Sequence, residues 1–253
     1  MTRSCFSDVP DVAGNLIRIR ERVRTAAASC GRRAEDIALM AVTKTVPPEW
    51  VNQALREGVA LLGENRVQEC CEKYQSYCCG REQIHFIGHL QTNKIRVIID
   101  KVSMVESVDT LHLAAALQKE CARRGMEMDI LLQVNIGAEP TKSGFPAEEI
   151  WEAYQEISAS CSRLRVRGLM AIPPNLPGDR YFGRMEELYQ RLRTDASPGR
   201  TPDILSMGMS GDFERAIRFG STQIRLGRAL FGERTPAGQG QTGRECREDR
   251  KAE

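Results

Sequence analysis

The fold of this chain is predicted from the segment Ile37-Ala38-Leu39-Met40-Ala41-Val42-Thr43-Lys44 outward. A short and nearly continuous apolar run of this kind is typical of a strand covered on both faces, as in a parallel sheet. Pro47 and Pro48 follow closely, and because proline has no amide hydrogen for a sheet ladder, the strand must end before them. Lys44 is therefore predicted at the carboxyl end of a buried strand, at the mouth of whatever the strands enclose.

Lys44 has two interpretations at such a position. An amine held against apolar walls loses hydration of its charged form, which makes it a better nucleophile. Alternatively, the side chain extends along the apolar surface and places its ammonium group in water. This stretch alone leaves both interpretations open.

Eight short apolar segments alternate with helical patterns along the chain, which predicts a single (β/α)8 barrel of the TIM type. The predicted strands cover residues 37–44, 59–62, 84–87, 102–106, 130–135, 164–170, 204–206 and 222–226. Helices are predicted over 48–57, from 66 to about 79, 92–99, 110–124 with Asp109 as N-cap, 146–160, 180–194, from 212 to 219, and 227–232. An open doubly wound sheet is the alternative, but no dinucleotide-binding glycine pattern follows the first strand.

The two ends of the chain differ from this alternating pattern. Apolar residues recur at helical spacing between residues 12 and 23, which predicts an extra N-terminal helix over 9–30 that lies outside the barrel or caps it. The barrel domain is predicted over residues 1–234. Residues 235–253 are rich in glycine, glutamine and charge and contain almost nothing apolar, so they are predicted to be a disordered tail.

Composition excludes several classes of function. The 36 basic and 34 acidic residues leave a net charge of +2, so no strong field selects a nucleic acid or a membrane as partner. Nine cysteines without regular spacing argue against a disulfide framework, and the pairs at 70–71 and 78–79 lack converging ligands, so no metal site is expected. The sequence begins with no signal peptide pattern and contains no stretch long enough to span a membrane, so a cytoplasmic location is expected.

In a barrel the chemistry lies where strands end and loops begin. The distinctive residues of this chain gather at those positions: Lys44, Asn65, His85, His89, Asn135, Met170, Ser206, Ser210 and Arg225. The two histidines have no third metal ligand nearby, so packed or hydrogen-bonded histidines are expected. Asn65 either orients a ligand or bonds a loop carbonyl, and the sequence favours neither.

The last two loops predict a phosphate site. Barrels often bind phosphate with the loops after strands seven and eight, and here these loops read MGMSG over 207–211 and GRA over 227–229. Glycines let the backbone approach a phosphate closely, and Ser210 adds a hydroxyl group. The structural alternatives are Ser210 as an ordinary N-cap and Gly227 as a tight turn.

A reactive Lys44 and a phosphate site in one mouth suit a phosphorylated aldehyde held as an imine, and pyridoxal 5'-phosphate is such a molecule. Arg225 comes from the end of the eighth strand. Its charge would keep a nearby pyridine nitrogen unprotonated, because a proton there would add a like charge. A structural salt bridge inside the barrel explains Arg225 equally well.

Seven sequence blocks occur in the order of one known family. They are AVTK at 41–44, LGENRVQE at 62–69, HFIGHLQTNK at 85–94, KSG at 142–144, RGLMAIP at 167–173, SMGMS at 206–210 and IRLG at 224–227. Through them the chain, over about residues 10–234, resembles the pyridoxal phosphate homeostasis protein family, which is related to the N-terminal barrel of alanine racemase.

The resemblance implies a role for each predicted site residue. It implies that Lys44 carries pyridoxal 5'-phosphate as a Schiff base and that Arg225 faces the pyridine nitrogen. It also implies that Ser210 and the backbone after the eighth strand, beginning at Gly227, hold the phosphate. Asn65 would lie beside the cofactor.

The next position departs from the family pattern. The family usually has a small hydroxyl residue after the glycine of its last block, where this chain has Arg228. One hydroxyl contact to the phosphate is therefore missing. Arg228 stays a candidate cofactor-binding residue, either through its backbone amide or through its guanidinium group in place of the hydroxyl.

The resemblance also indicates the kind of activity. The family is viewed as a carrier and homeostasis factor for the cofactor, without a demonstrated enzymatic reaction, and its members are expected to be monomers. Racemisation needs proton removal on one face of the substrate and delivery on the other, and the related racemases use a second domain for this. The main hypothesis is therefore a carrier that passes the cofactor to apo enzymes. A single-domain amino-acid racemase is the alternative, and a barrel that binds another phosphate with a structural Lys44 is a third.

Overall fold

Eight parallel strands form a closed barrel in which each strand pairs with its neighbours in chain order. The computed structural model describes residues 9–174, 176, 178–195 and 201–233. The predicted (β/α)8 barrel is therefore confirmed, whereas the predicted tail over 235–253 lies outside the described residues. Strands β1 to β8 are, in order, Ala38–Val42, Leu61–Glu64, Ile84–Phe86, Met104–Val108, Met128–Val134, Leu164–Ala171, Ile204–Ser206 and Gln223–Leu226.

The helices form the outer layer of the barrel. Helices α1 to α9 are, in order, Val12–Ala28, Pro48–Arg56, Val67–Lys73, Ile95–Ile98, Leu111–Arg124, Ile150–Ser160, Arg180–Asp195, Phe213–Arg218 and Arg228–Phe231. The predicted N-terminal helix is present as α1. It packs its buried residues, among them Leu16 and Ile19, against α2, α8 and α9. Within the described ranges, none of the helices combines the length and the apolar character that a membrane span requires.

Closure of the barrel brings the first strand beside the last. Met40 of β1 lies opposite Leu61 of β2 on one side and opposite Arg225 of β8 on the other. Because all the strands are parallel, the segments after β1, β2 and β8 leave the barrel at the same end, side by side. That end is called the mouth below.

The core has an outer and an inner part. Most buried apolar residues lie between the strands and the helices, whereas a small separate cluster of Met104, Leu131 and Met170 lies inside the barrel. Polar side chains fill much of the remaining interior. His85, Glu106, Ser206, Gln223 and Arg225 are all buried and joined by hydrogen bonds.

Some local predictions differ from the structure, among them the bounds of β2, which covers Leu61–Glu64 and not 59–62. Strand β1 ends at Val42 and not at Lys44, because the chain turns immediately after it. Asp109 is not the N-cap of α5, because the Thr110 side chain accepts the hydrogen bond from the Leu113 amide at 3.2 Å. The Asp109 carboxylate lies instead 3.2 Å from the Nδ1 atom of His89. Prediction of a cap from residue type alone placed it one residue too early.

Candidate functional site

Lys44 lies in a tight turn at the mouth. The amide of Val46 donates to the carbonyl of Thr43 at 3.0 Å, which closes a four-residue turn, the Lys44 turn, with Lys44 at its second position. Lys44 is half-buried. The third residue, Thr45, has φ 61°, a left-handed conformation that β-branched residues rarely adopt.

Helix α3 supplies the groups that hold this turn. The Glu69 carboxylate accepts hydrogen bonds from the Thr45 amide and from the Lys73 ammonium group. Lys73 also donates to the carbonyls of Val46, at 2.8 Å, and of Thr43, at 3.3 Å. Neither Glu69 nor Lys73 is among the site residues predicted from the sequence. Their i,i+4 spacing predicts an ion pair on a helix, but it gives no sign that the pair contacts the backbone of another segment.

Glu64, at the end of β2, lies buried behind the same turn. Its Oε1 atom accepts from the Thr43 hydroxyl at 2.6 Å and from the Tyr77 hydroxyl at 2.5 Å. Burial raises the pKa of Glu64, although the hydrogen bonds from Thr43 and Tyr77 oppose the shift. Burial and the nearby Glu64 also raise the pKa of Tyr77. Two carboxyl groups therefore bind the Lys44 turn: Glu64 from β2 and Glu69 from α3.

Asn65 follows β2 directly and is half-buried at the mouth. Its Oδ1 atom is buried and has no hydrogen-bond partner among the described residues. A β-carbon on Gly88 would lie 2.0 Å from the Asn65 carbonyl oxygen, so only glycine allows this close approach of the loops after β2 and β3. Asn65 thus presents an unsatisfied acceptor, and its role in orienting a ligand stays a prediction.

The two predicted phosphate loops contact each other. The Ser210 hydroxyl accepts a hydrogen bond from the amide of Ala229 at 3.1 Å. The alternative that Ser210 is the N-cap of α8 is not observed, because Asp212 precedes the helix and accepts from the Met209 amide at 2.6 Å. Gly208 has φ 95°, and a β-carbon there would lie 2.6 Å from that of Ala216, so this turn requires glycine.

The end of β8 completes this part of the mouth. Gly227 immediately precedes α9, and Arg228 is the first residue of that helix. The Arg228 side chain is exposed, and its Nη1 atom lies 3.8 Å from a carboxylate oxygen of Glu233. Backbone amides and one hydroxyl, rather than the guanidinium group, therefore define the junction of the two loops.

Arg225 is buried inside the barrel and held from both terminal nitrogens. Nη1 donates to the Ser206 hydroxyl at 2.6 Å, and Nη2 donates to the carbonyl of Ala171 at 2.8 Å. Burial lowers the pKa of Arg225, and the negative charges of Glu106 and Asp212 oppose the shift. The salt bridge that was the structural alternative for Arg225 is not observed among the described residues, because its link to Glu106 runs through the Ser206 hydroxyl.

Glu106 balances the charge of Arg225. Its carboxylate accepts from the Ser206 hydroxyl at 2.7 Å, from Gln223 Nε2 at 2.7 Å and from His85 Nδ1 at 2.6 Å. Burial favours the neutral form, but the hydrogen bond and charge of His85 and the charge of Arg225 outweigh it and lower the pKa of Glu106. His85 is therefore a hydrogen-bonded interior residue, as the sequence analysis expected.

The other predicted residues lie in different surroundings. His89 lies near Asp109 and the hydroxyl of Ser143, and Asn135 bonds the carbonyls of its own loop. A cavity of about 820 Å³ lies at the end of the barrel opposite the mouth and is lined in part by α1 and by Arg167. None of Lys44, Asn65, Ser210, Arg225, Gly227 and Arg228 lines it. The candidate site is therefore defined by its chemical groups at the mouth and not by the size of this cavity.

The barrel and the residues at its mouth define the class of protein. The family model described as "Alanine racemase, N-terminal domain" matches residues 15–235. The pyridoxal phosphate homeostasis protein of Aquifex aeolicus is 39% identical over 223 residues, which cover 87% of this chain and 96% of that protein. The protein of the same name from Escherichia coli K12 is 38% identical over 88% of this chain and 97% of its own length. The chain belongs to the pyridoxal phosphate homeostasis protein family, which confirms the resemblance.

A solved structure supports the same relationship. PipY of Synechococcus elongatus PCC7942, determined with pyridoxal phosphate bound, matches with a TM-score of 0.71 and 26% sequence identity. The match covers 88% of this chain and 100% of PipY.

Proposed function

We propose that this chain binds pyridoxal 5'-phosphate at the mouth of the barrel, as a Schiff base on Lys44, and takes part in the homeostasis of that cofactor as a cytoplasmic monomer. The names of its relatives, and the bound cofactor in PipY, support the choice of ligand.

One observation carries the proposal. Strand β1 pairs with β8, so the Lys44 turn leaves the barrel beside Gly227, and the Ser210 hydroxyl bonds the amide of Ala229 in that same region. An amine and a glycine-rich set of amides and hydroxyls therefore share one side of the mouth. A ligand with an aldehyde at one end and a phosphate at the other matches that arrangement.

The other predicted residues also fit this ligand. The unpartnered Oδ1 of Asn65 offers an acceptor to a ligand hydroxyl or protonated group. Buried Arg225 is held in place by Ser206 and Ala171, so its charge has a fixed position below the mouth. A fixed cation of this kind disfavours a proton on a neighbouring pyridine nitrogen.

Attachment requires only the amine and the aldehyde. Nζ of Lys44 adds to the aldehyde carbon, one water leaves, and a C=N bond replaces the C=O bond, with no oxidant or reductant consumed. The protein contributes by holding the phosphate end and by directing Nζ, which raises the effective concentration of the two reacting groups.

The test is incubation with pyridoxal 5'-phosphate, borohydride reduction and peptide mass mapping. We expect the imine absorbance band and a reduced adduct on Lys44, both lost in Lys44→Ala. Lys101→Ala is the matched control, because Lys101 pairs with Asp100 and contacts Tyr74 away from the mouth. An adduct spread over several lysines, or retained in Lys44→Ala, would contradict the proposal.

The homeostasis role has a separate test. The loaded protein should restore activity to an apo form of a pyridoxal-phosphate-dependent enzyme, and Lys44→Ala protein should not. The same samples should contain monomers by light scattering. Inversion of L-alanine that depends on Lys44 would instead favour the racemase alternative. This alternative is tested because the matching family model describes the N-terminal domain of alanine racemase.

A further inference from the structure

The Lys44 turn has an unfavourable backbone conformation at the residue directly after Lys44, the proposed attachment point. Thr45, at the third position, has φ 61°. Turns with positive φ at this position favour glycine or asparagine, because a β-branched side chain crowds the backbone there. Such a conformation persists only where the surroundings impose it, and it commonly occurs at functional sites. Thr45 donates its own hydroxyl to the Lys44 carbonyl at 2.6 Å, which secures one side of the peptide.

Glu69 and Lys73 secure the other side. Glu69 accepts from the amide of Thr45, and Lys73 donates to the carbonyls on either side of the turn while pairing with Glu69. The side chains of Glu69 and Lys73 are only 15% and 17% exposed, so water competes weakly for these bonds. Hydrogen bonds to charged groups are stronger than those between neutral groups.

The start of the turn has its own support. Thr43 donates its hydroxyl to buried Glu64, and its amide donates to the carbonyl of Gly63 at 3.2 Å. The side chain and the amide of the first residue are therefore held by β2, and only its carbonyl is held by Lys73 of α3. Only the second half, with Thr45, depends on Glu69.

We propose that Glu69 and Lys73 are positioning residues that hold Thr45 at positive φ and thereby direct the side chain of Lys44 into the mouth for attachment. This inference rests on the proposed function. Without the pair, Thr45 relaxes to negative φ, which rotates the peptide between residues 44 and 45 and moves Nζ away from the aldehyde. The attachment equilibrium then suffers while the phosphate loops stay intact.

The test compares Glu69→Ala, Glu69→Gln and Lys73→Met with the unchanged chain. Pyridoxal 5'-phosphate reports attachment, by imine absorbance and by the borohydride adduct on Lys44. Pyridoxine 5'-phosphate, which has an alcohol in place of the aldehyde, reports binding without attachment. We expect Glu69→Ala and Lys73→Met to lower the attachment constant by about tenfold, with the affinity for pyridoxine 5'-phosphate unchanged. Glu69→Gln keeps an oxygen that accepts from the Thr45 amide and should recover part of the loss.

A second substitution separates positioning from a merely structural role. Glycine adopts positive φ without strain, so Thr45→Gly should restore attachment in the Glu69→Ala background. The control is Glu120→Ala on α5, which breaks another i,i+4 ion pair, with Arg124, far along the chain from the Lys44 turn. Thermal unfolding of each variant verifies that it folds. Thr45→Gly should not restore any thermal stability that Glu120→Ala removes.

The outcomes are distinguishable. If the unchanged chain forms no adduct on Lys44, the proposed function itself is wrong. If it forms the adduct and Glu69→Ala and Lys73→Met form it equally well, the positioning role is overturned. The role is also overturned if Thr45→Gly fails to restore attachment in folded Glu69→Ala protein, or if all variants lose pyridoxine 5'-phosphate in parallel with attachment.

Discussion

Arg225 and Glu106 are two opposite charges inside the barrel that are joined by one hydroxyl group. Ser206 accepts from the guanidinium group and donates to the carboxylate, and both charged groups are buried, so each charge depends on the other. Removal of one partner of a buried pair leaves the remaining charge uncompensated.

Glu106→Gln should therefore destabilise the fold by about 3–5 kcal/mol at neutral pH, measured by urea unfolding. Glu127→Gln on the surface is the control and should change the free energy of unfolding by less than about 0.5 kcal/mol. Because the folded protein lowers the pKa of Glu106, its contribution is present above the ordinary value of 4.5 and is lost as the pH falls through the lowered pKa. The difference in the free energy of unfolding between the unchanged chain and Glu106→Gln should thus become smaller below pH 4.5. An equal effect of the two substitutions would contradict this account.

Arg228 allows a test of the phosphate loops at the level of one residue. Its guanidinium is exposed and lies near Glu233, whereas the family pattern has a small hydroxyl residue at this position. Arg228→Ser should tighten the binding of pyridoxal 5'-phosphate by about tenfold, the magnitude of one hydrogen bond to a charged group. Pyridoxal, which has no phosphate, should bind both proteins equally by absorbance titration. Weaker binding of the phosphate form by Arg228→Ser would show that the guanidinium group holds the phosphate.

Sequence patterns gave the identities of the candidate site residues but not of the groups that hold them. Lys44, Ser210 and Gly227 stand at strand ends, where topology alone predicts chemistry. Glu69 and Lys73 were missed because they bond backbone atoms of the Lys44 turn, and no side-chain pattern reports such a contact. Polar residues at inward positions of buried strands, such as Glu106, were a usable signal for the interior network.

At the level of elements, all eight strands were predicted, but the bounds of most of them differ from the prediction; those of β7, Ile204–Ser206, are confirmed. Strand β2 was predicted over 59–62 but covers Leu61–Glu64, because Gly63 and Glu64 pair with β3 and Gly63 also pairs with β1. Hydropathy locates the apolar run, whereas ladder pairing determines where the strand ends. The helix predicted to reach about residue 79 ends at Lys73 and is followed by a 3-10 turn, Tyr74–Ser76.

The β2–α3 unit carries a pH dependence through Glu64. Because burial raises the pKa of Glu64 in the folded protein, its contribution to stability is full below the ordinary value of 4.5 and is lost as the pH rises through the raised pKa. Glu64→Gln stays neutral and keeps an oxygen for the Thr43 and Tyr77 hydroxyls. The unfolding free energy of the unchanged protein should therefore fall relative to that of Glu64→Gln as the pH rises from 4.5, in urea titrations at several pH values. If the unfolding free energies of the unchanged chain and of Glu64→Gln change in parallel with pH, the prediction is contradicted. For the control Glu127→Gln, a parallel change is the expected result.

At the scale of the whole molecule, closure of the barrel explains why distant sequence blocks act together. Lys44 and Gly227 are separated by most of the chain, yet β1 and β8 are neighbours. The alternation of strands and helices predicted this closure together with the missing dinucleotide-binding glycine pattern, which counted against an open sheet. The contents of the barrel were not predictable in the same way, because the pairing of interior polar groups depends on side chains from β3, β4, β7 and β8 together.

Ligand binding should stabilise the whole barrel, since only the folded chain brings these segments together. At a free cofactor concentration about 100 times the dissociation constant, the free energy of unfolding should rise by about 2.7 kcal/mol. A chain ending at Glu233 retains every strand and helix described above and should show the same rise, measured by urea unfolding with and without pyridoxal 5'-phosphate. Lys44→Ala should show a smaller rise, because phosphate contacts remain while attachment is lost. A chain ending at Glu233 that folds but gains nothing from the cofactor would assign residues 234–253 a part in the site.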